Sequence, residues 1–247
     1  MRGLAVALAC AALRAQPTLP IPAVTTRVAI EQQSIEVKVS GELFAAASAS
    51  GEQAIRVALQ ADLTDFQRNL TPILAAQLNQ SNRCGERLNV LDAVLVPASP
   101  AALLTVKAHV EKWACAKAFG KEVVKRLVGG DGTIAVRLTP RVENGAGIKL
   151  AAEVTSIDAD GSLGELMRSN SFGDAIREKV RTTIVNAIQK STDFKQTLPD
   201  ALREIVSIRD AQFAETGGHG LALAIAGDVR MPAAQARQLL EKLKQAR

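Results

Sequence analysis

The chain of 247 residues carries 30 basic and 25 acidic side chains and is 47% hydrophobic, which excludes a disordered polymer and leaves room for one large core or two smaller ones. Aromatic residues are only 3% of the total, with one Trp and no Tyr, so the stacking platforms that nucleic acids use are scarce. The net charge of +5 is spread along the chain without a basic stripe, so no nucleic-acid partner is expected, and peripheral contact with an anionic membrane surface is the most that charge supports.

Residues 1–15 read as a Sec-type export signal. Arg2 supplies the positive start, residues 4–13 the short apolar run, and Leu13-Arg14-Ala15 a tolerable cleavage site. The run is too short to span a bilayer. A proline-rich spacer follows at 16–26, and the chain from 27 to 247 reads as one α+β domain. The localisation this implies is the periplasm or outside the cell.

The first element is a hairpin. Ile35, Val37 and Val39 alternate with polar residues, and after Ala49-Ser50-Gly51 a second strand shows Ile55, Val57, Leu59, Ala61 and Leu63 on one face. A helix comes next, with Phe66, Leu70, Ile73, Leu74 and Leu78 forming an apolar stripe. Pro72 either kinks it or marks its first turn, and the kink is the favoured reading.

A second hairpin runs from Leu88 to Val94, turns at Pro97-Ala98-Ser99-Pro100 and returns through Leu103-Leu104-Thr105-Val106. Cys84 and Cys115 are equidistant from that turn, so in an antiparallel pair they face one another. A disulfide there, at the open end of the hairpin, suits an oxidising compartment. Residues 116–128, ending at Gly129-Gly130, read as a further helix.

The same order then begins again. Ile134, Val136 and Leu138 lead to a turn at Glu143-Asn144-Gly145-Ala146-Gly147, and Ile148, Leu150, Ala152 and Val154 return from it. Ser171 is a plausible N-cap for a long helix over 172–190 whose stripe is Ile176, Val180, Ile184 and Ile188. A loop at 191–200 separates it from the last hairpin, Ile205 to Gln212, a turn at Thr216-Gly217-Gly218, and Leu221 to Ile225. Residues 232–244 close the chain as a helix with Pro232 in its permitted first turn. Two pseudo-repeats of hairpin, helix, hairpin, helix therefore cover 27–130 and 131–247.

Residues 221–226, Leu-Ala-Leu-Ala-Ile-Ala, are apolar on both faces. Such a strand is either covered on both sides or in contact with an apolar ligand. The functional reading is an apolar groove lined by Ile176, Val180, Ile184, Leu221, Leu223 and Ile225, with Ala222, Ala224 and Ala226 leaving volume for the ligand. The bland reading is simple core burial. Because only the first hairpin would be stapled, the second is the better candidate for yielding to a ligand.

Strands wrapped around long amphipathic helices, in an exported chain with duplicated halves, resemble the tubular lipid-binding superfamily that includes bactericidal permeability-increasing and synaptotagmin-like mitochondrial lipid-binding domains. The resemblance covers about residues 27–231 and rests on element order and on stretches such as Phe172-Gly173-Asp174-Ala175-Ile176 and Thr197-Leu198-Pro199. It implies a lipid tunnel and lipid transport or sensing without catalysis. The chain is short for two full modules, so a single module of two half-repeats is the mapping it suggests.

No Gly-x-Ser-x-Gly elbow, His-Glu-x-x-His or P-loop is present. Asp158-Ala159-Asp160-Gly161 resembles part of a calcium loop, but Ser156 and Met167 stand where acidic ligands belong. Cys84, Cys115, His109 and His219 lack a zinc spacing. The expectation is therefore a non-catalytic exported protein that binds a lipid or another hydrophobic molecule, with no cofactor and no metal. An envelope scaffold with a ligand-free core, and a hydrolase with an unrecognised site, remain the alternatives.

Overall fold

The computed structural model describes residues 18–47, 53–79, 84–118, 121–143, 147–159, 161–168 and 206–229, with further helical positions within 173–186 and 234–238. The chain runs β1 (Thr18–Ile30), β2 (Gln33–Ala47), β3 (Gln53–Asp62), α1 (Thr64–Arg68), α2 (Leu70–Leu78), β4 (Gly85–Ala98), β5 (Ala101–Ala118), β6 (Lys121–Glu143), β7 (Gly147–Ala159), α3 (Gly161–Arg168), β8 (Val206–Thr216) and β9 (Gly220–Val229). The strands form two antiparallel sheets, one of five strands in the order β1-β2-β3-β9-β8 and one of four in the order β4-β5-β6-β7.

This corrects the α+β expectation. The described residues are mostly strand, and α1, α2 and α3 span only 5, 9 and 8 residues, so strands do not wrap around long amphipathic helices. The tunnel architecture implied by the resemblance is absent from them. The expected helix over 116–128 is instead the end of β5 and the start of β6, with Ala116 paired to Val123 and Lys117 to Glu122. Its helix-like spacing of apolar residues competes with β-branched Val123, Val124 and Val128, and pairing along the whole of β5 decides the outcome.

Alternation fixes which faces meet. Ile55, Val57, Leu59 and Ala61 of β3 turn inward beside Val37 and Val39 of β2 and Leu223 and Ile225 of β9, all at most 4% exposed. The four-stranded sheet answers with Leu95, Leu104, Val106, Ile134, Val136 and Leu138, at most 2% exposed, in one continuous core. On one side β8 closes the gap between the sheets, where Phe213 N–H donates to Pro100 O at 2.9 Å.

On the other side α1 and α2 close it. Phe66, Leu70, Ile73, Leu74 and Leu78 are fully buried, as their spacing predicts. The break between the helices falls at Asn69, upstream of Pro72. A proline has no N–H for the carbonyl four residues earlier, here Arg68, and its ring clashes with that carbonyl, so α1 ends there and α2 carries Pro72 in its first turn.

Cys84 and Cys115 form the disulfide expected of an oxidising compartment, with Cα atoms 5.7 Å apart. A bulge at Leu91 shifts the β4–β5 register by one residue, so Gly85 lies opposite Trp113. Gly85 takes φ of +92°, a conformation that glycine adopts without strain, as the chain enters β4 from the bridge. No described helix is long and apolar enough to cross a membrane. Residues 1–15, the apolar stripe of 172–190 and the loop 191–200 lie outside the described residues. Most of the segment read as a spacer belongs to β1, where Pro20 and Pro22 blunt an edge strand.

Candidate functional site

The outward face of the five-stranded sheet is built from the alternate residues of the strands that form the core. Register sets Ser40, Gln60, Ala224 and Gln212 in one cross-strand row and Glu42, Ala58, Ala226 and Asp210 in the next. Three alanines thus occupy central positions, with longer polar side chains beside them. The result is a solvent-open concavity of about 500 Å³, with Pro20 of the edge strand contributing to its wall. Its lining is more apolar than polar, and its acceptors are the carboxylates of Glu42 and Asp210 and the amides of Gln60 and Gln212. The two carboxylates stand three strand spacings apart, roughly 14 Å.

Toward α1 the same face becomes polar. Glu36, Lys38, Asp62, Thr64, Asp65 and Arg68 line a second depression of about 580 Å³. Its carboxylates are partly committed to the fold, since Asp65 accepts from Glu36 N–H at 2.8 Å and Asp62 from Thr64 N–H at 2.9 Å. At the other end Arg56 and Arg209 approach Asp228 at 3.7 and 3.3 Å.

The predicted groove residues divide differently. Leu221, Leu223 and Ile225 are 0, 1 and 2% exposed, with their side chains in the core cluster. Ile225 also belongs to the stretch of β9 that borders the concavity. Ile176, Val180 and Ile184 lie outside the described residues. Near them, Asp174–Arg177 and Glu178–Arg181 pair along exposed helical positions at 2.6 and 2.5 Å. Hydrogen bonds from Arg181 and Thr182 hold the Glu178 carboxyl below its usual value, and Glu178 in turn raises Arg181. Of the alanines noted in the sequence, Ala224 and Ala226 line the concavity whereas Ala222 is fully buried. Ala58, Glu42 and Asp210 were missed, because only cross-strand register brings them together.

The outer face of the other sheet carries a charged row. His109 has Nδ1 2.6 Å from Asp131 and Nε2 3.6 Å from Glu111, so both ring nitrogens face carboxylates. Glu111 also accepts from Trp113 Nε1 at 2.8 Å and Arg126 at 3.0 Å, and Arg87 lies 4.2 Å over the Trp113 ring. The Trp113 hydrogen bond, together with Arg126 and His109, holds the Glu111 carboxyl below its ordinary value against the opposing effect of burial. Cys84, Cys115 and Glu122 bring two sulfurs and a carboxylate together, but both sulfurs are in the disulfide and are not thiolate ligands in this state.

Comparison with family models, curated proteins and solved structures gave no match.

Proposed function

We propose that the chain is a non-catalytic binding protein of the periplasm or extracellular space whose ligand is a lipid or other hydrophobic small molecule held on the outer face of the five-stranded sheet. The observation that carries this reading is the alanine floor of Ala58, Ala224 and Ala226, open to solvent and edged by acceptors. Small side chains at the centre of a sheet face leave apolar area that a ligand removes from water, with about 25 cal/mol gained per Å² covered. Glu42 and Asp210 favour a ligand that is neutral or cationic where it meets the rim. The disulfide accords with an exported protein.

Titration with N-phenyl-1-naphthylamine, a neutral apolar fluorophore, tests the site. Wild type is expected to enhance its emission saturably, and Ala58→Phe together with Ala226→Phe to weaken binding by at least about tenfold, by filling the space that the ligand uses. Equal affinity in the filled variant, or no enhancement by wild type, rejects the reading.

An envelope scaffold finds one observation in its favour. Val94, Val96 and Leu103 point outward from the β4–β5 hairpin at 48, 43 and 38% exposure, a small apolar patch suited to a protein contact. On that reading the fluorophore does not bind at the alanine floor.

A further inference from the structure

The hairpin of β5 and β6 is longer than the sheet around it. β4 reaches only to the pairing of Gly85 with Trp113, and β7 pairs with β6 only from Gly132 onward. Between those limits five residue pairs, from Ala114–Lys125 to Ala118–Lys121, form a ribbon of two strands. A two-stranded ribbon is marginal in water. This one is tied at its base by Cys84–Cys115. The fold thus stabilises an arm that adds nothing to the core, whose last contribution here is Val128.

What the arm displays is specific. Val123 is 51% exposed and Leu127 59%, the two largest exposures among the large hydrophobic residues described. Leu127 is the extra residue of a bulge, because Trp113 pairs with Arg126 and Lys112 with Val128. A bulge re-aims a side chain, and here it leaves a leucine in solvent. Around these aliphatics the sequence from 111 to 128 holds Lys112, Lys117, Lys121, Lys125 and Arg126 against Glu111 and Glu122, with Lys112 bonded to Glu86 and Arg126 to Glu111. Lys117, Lys125 and Arg126 are exposed.

We infer that this ribbon is a membrane-contact arm that docks on an anionic phospholipid surface, with Val123 and Leu127 entering the interface and Lys117 and Lys125 meeting the headgroups. Charge complementarity selects this occupant, since basic side chains beside exposed aliphatics match an anionic interface. Protein hot spots instead favour aromatic anchors in closed pockets, and edge lysines discourage addition of a further strand. Trp113, at the base of the arm, is the only Trp in a chain without Tyr, so its emission reports on this element alone.

The test uses the whole oxidised protein with vesicles of phosphatidylglycerol and, separately, of phosphatidylcholine, following Trp113 emission and co-sedimentation. Binding is expected on phosphatidylglycerol with a blue shift, negligible binding on phosphatidylcholine, and release at high salt, where the screening length falls to about 3 Å at 1 M. Lys117→Glu with Lys125→Glu is expected to reduce partitioning by at least about tenfold. Val123→Thr with Leu127→Gln, which keeps strand-compatible shapes, is expected to abolish the blue shift. Both variants are first checked for an intact disulfide and an unchanged far-ultraviolet spectrum. Equal binding to the two lipids, undiminished binding by both variants, or no binding to phosphatidylglycerol overturns the inference.

Discussion

Gln67 shows how one side chain ties the two sheets together. Its Nε2 donates to Leu95 O of β4 at 2.6 Å and to His219 O at 3.4 Å, while its Oε1 accepts from Leu221 N–H of β9 at 3.1 Å. Thr71 repeats the device four residues on. Its hydroxyl accepts from Ala93 N–H at 2.9 Å and donates to Ala93 O at 3.3 Å. Asn79 then accepts from Val90 N–H at 2.7 Å. These residues answer the outward backbone groups of edge strand β4, so the helices cap that edge as well as burying their apolar stripe. Gln67→Ala leaves Leu95 O and Leu221 N–H without that partner, and a loss of roughly 2–4 kcal/mol is expected. Urea unfolding should show a lower midpoint at unchanged slope. A variant as stable as wild type would mean that water replaces the amide. The apolar stripe of these helices was legible because burial repeats at helical spacing. The polar partners were not, because a glutamine facing a strand's backbone looks in sequence like one facing water.

At the scale of elements, the hairpins were legible and the ribbon was not. Alternation marks β2–β3 and β6–β7, and turn residues mark β4–β5 and β8–β9. Residues 116–128 also satisfy a helical spacing, and nothing local reveals that β5 continues far enough to pair with them. The equal distance of Cys84 and Cys115 from the turn was the stronger clue, since a bridge at the open end of a hairpin implies strand on both sides of it. Closing a loop over a sequence separation of 31 is worth roughly 3 to 4 kcal/mol in the chain-entropy model. Cys84→Ser with Cys115→Ser is therefore expected to lower the melting temperature and to raise amide exchange over 114–125 more than in the strands of the core. Unchanged exchange in the ribbon would show that strand pairing alone holds it.

At the scale of the molecule, strands far apart in the chain share one sheet. The five-stranded sheet joins β2–β3 near the start of the described chain to β8–β9 near its end, with Arg56 paired to Asp228, whereas the four-stranded sheet is the consecutive run β4-β5-β6-β7 between them. Local signals delimit each hairpin, but which hairpins share a sheet depends on contacts across most of the chain, which is why the architecture escaped the sequence. The alanine floor escaped for the same reason, since Ala58 meets Ala226 only through the β3–β9 register. This pairing also makes the early and late parts of the chain interdependent. Fragment 18–118 alone would leave β3 without β9 and expose Val57, Leu59 and Ala61, whereas 121–247 alone would leave β6 without β5 and expose Ile134, Val136 and Leu138. Each exposed face forfeits the apolar burial that offsets the entropy of ordering its strands. Neither fragment is expected to show a cooperative thermal transition by circular dichroism, whereas the two co-expressed should reassemble and regain one. A cooperative transition in either fragment alone would place a complete core within one half and contradict the paired sheets.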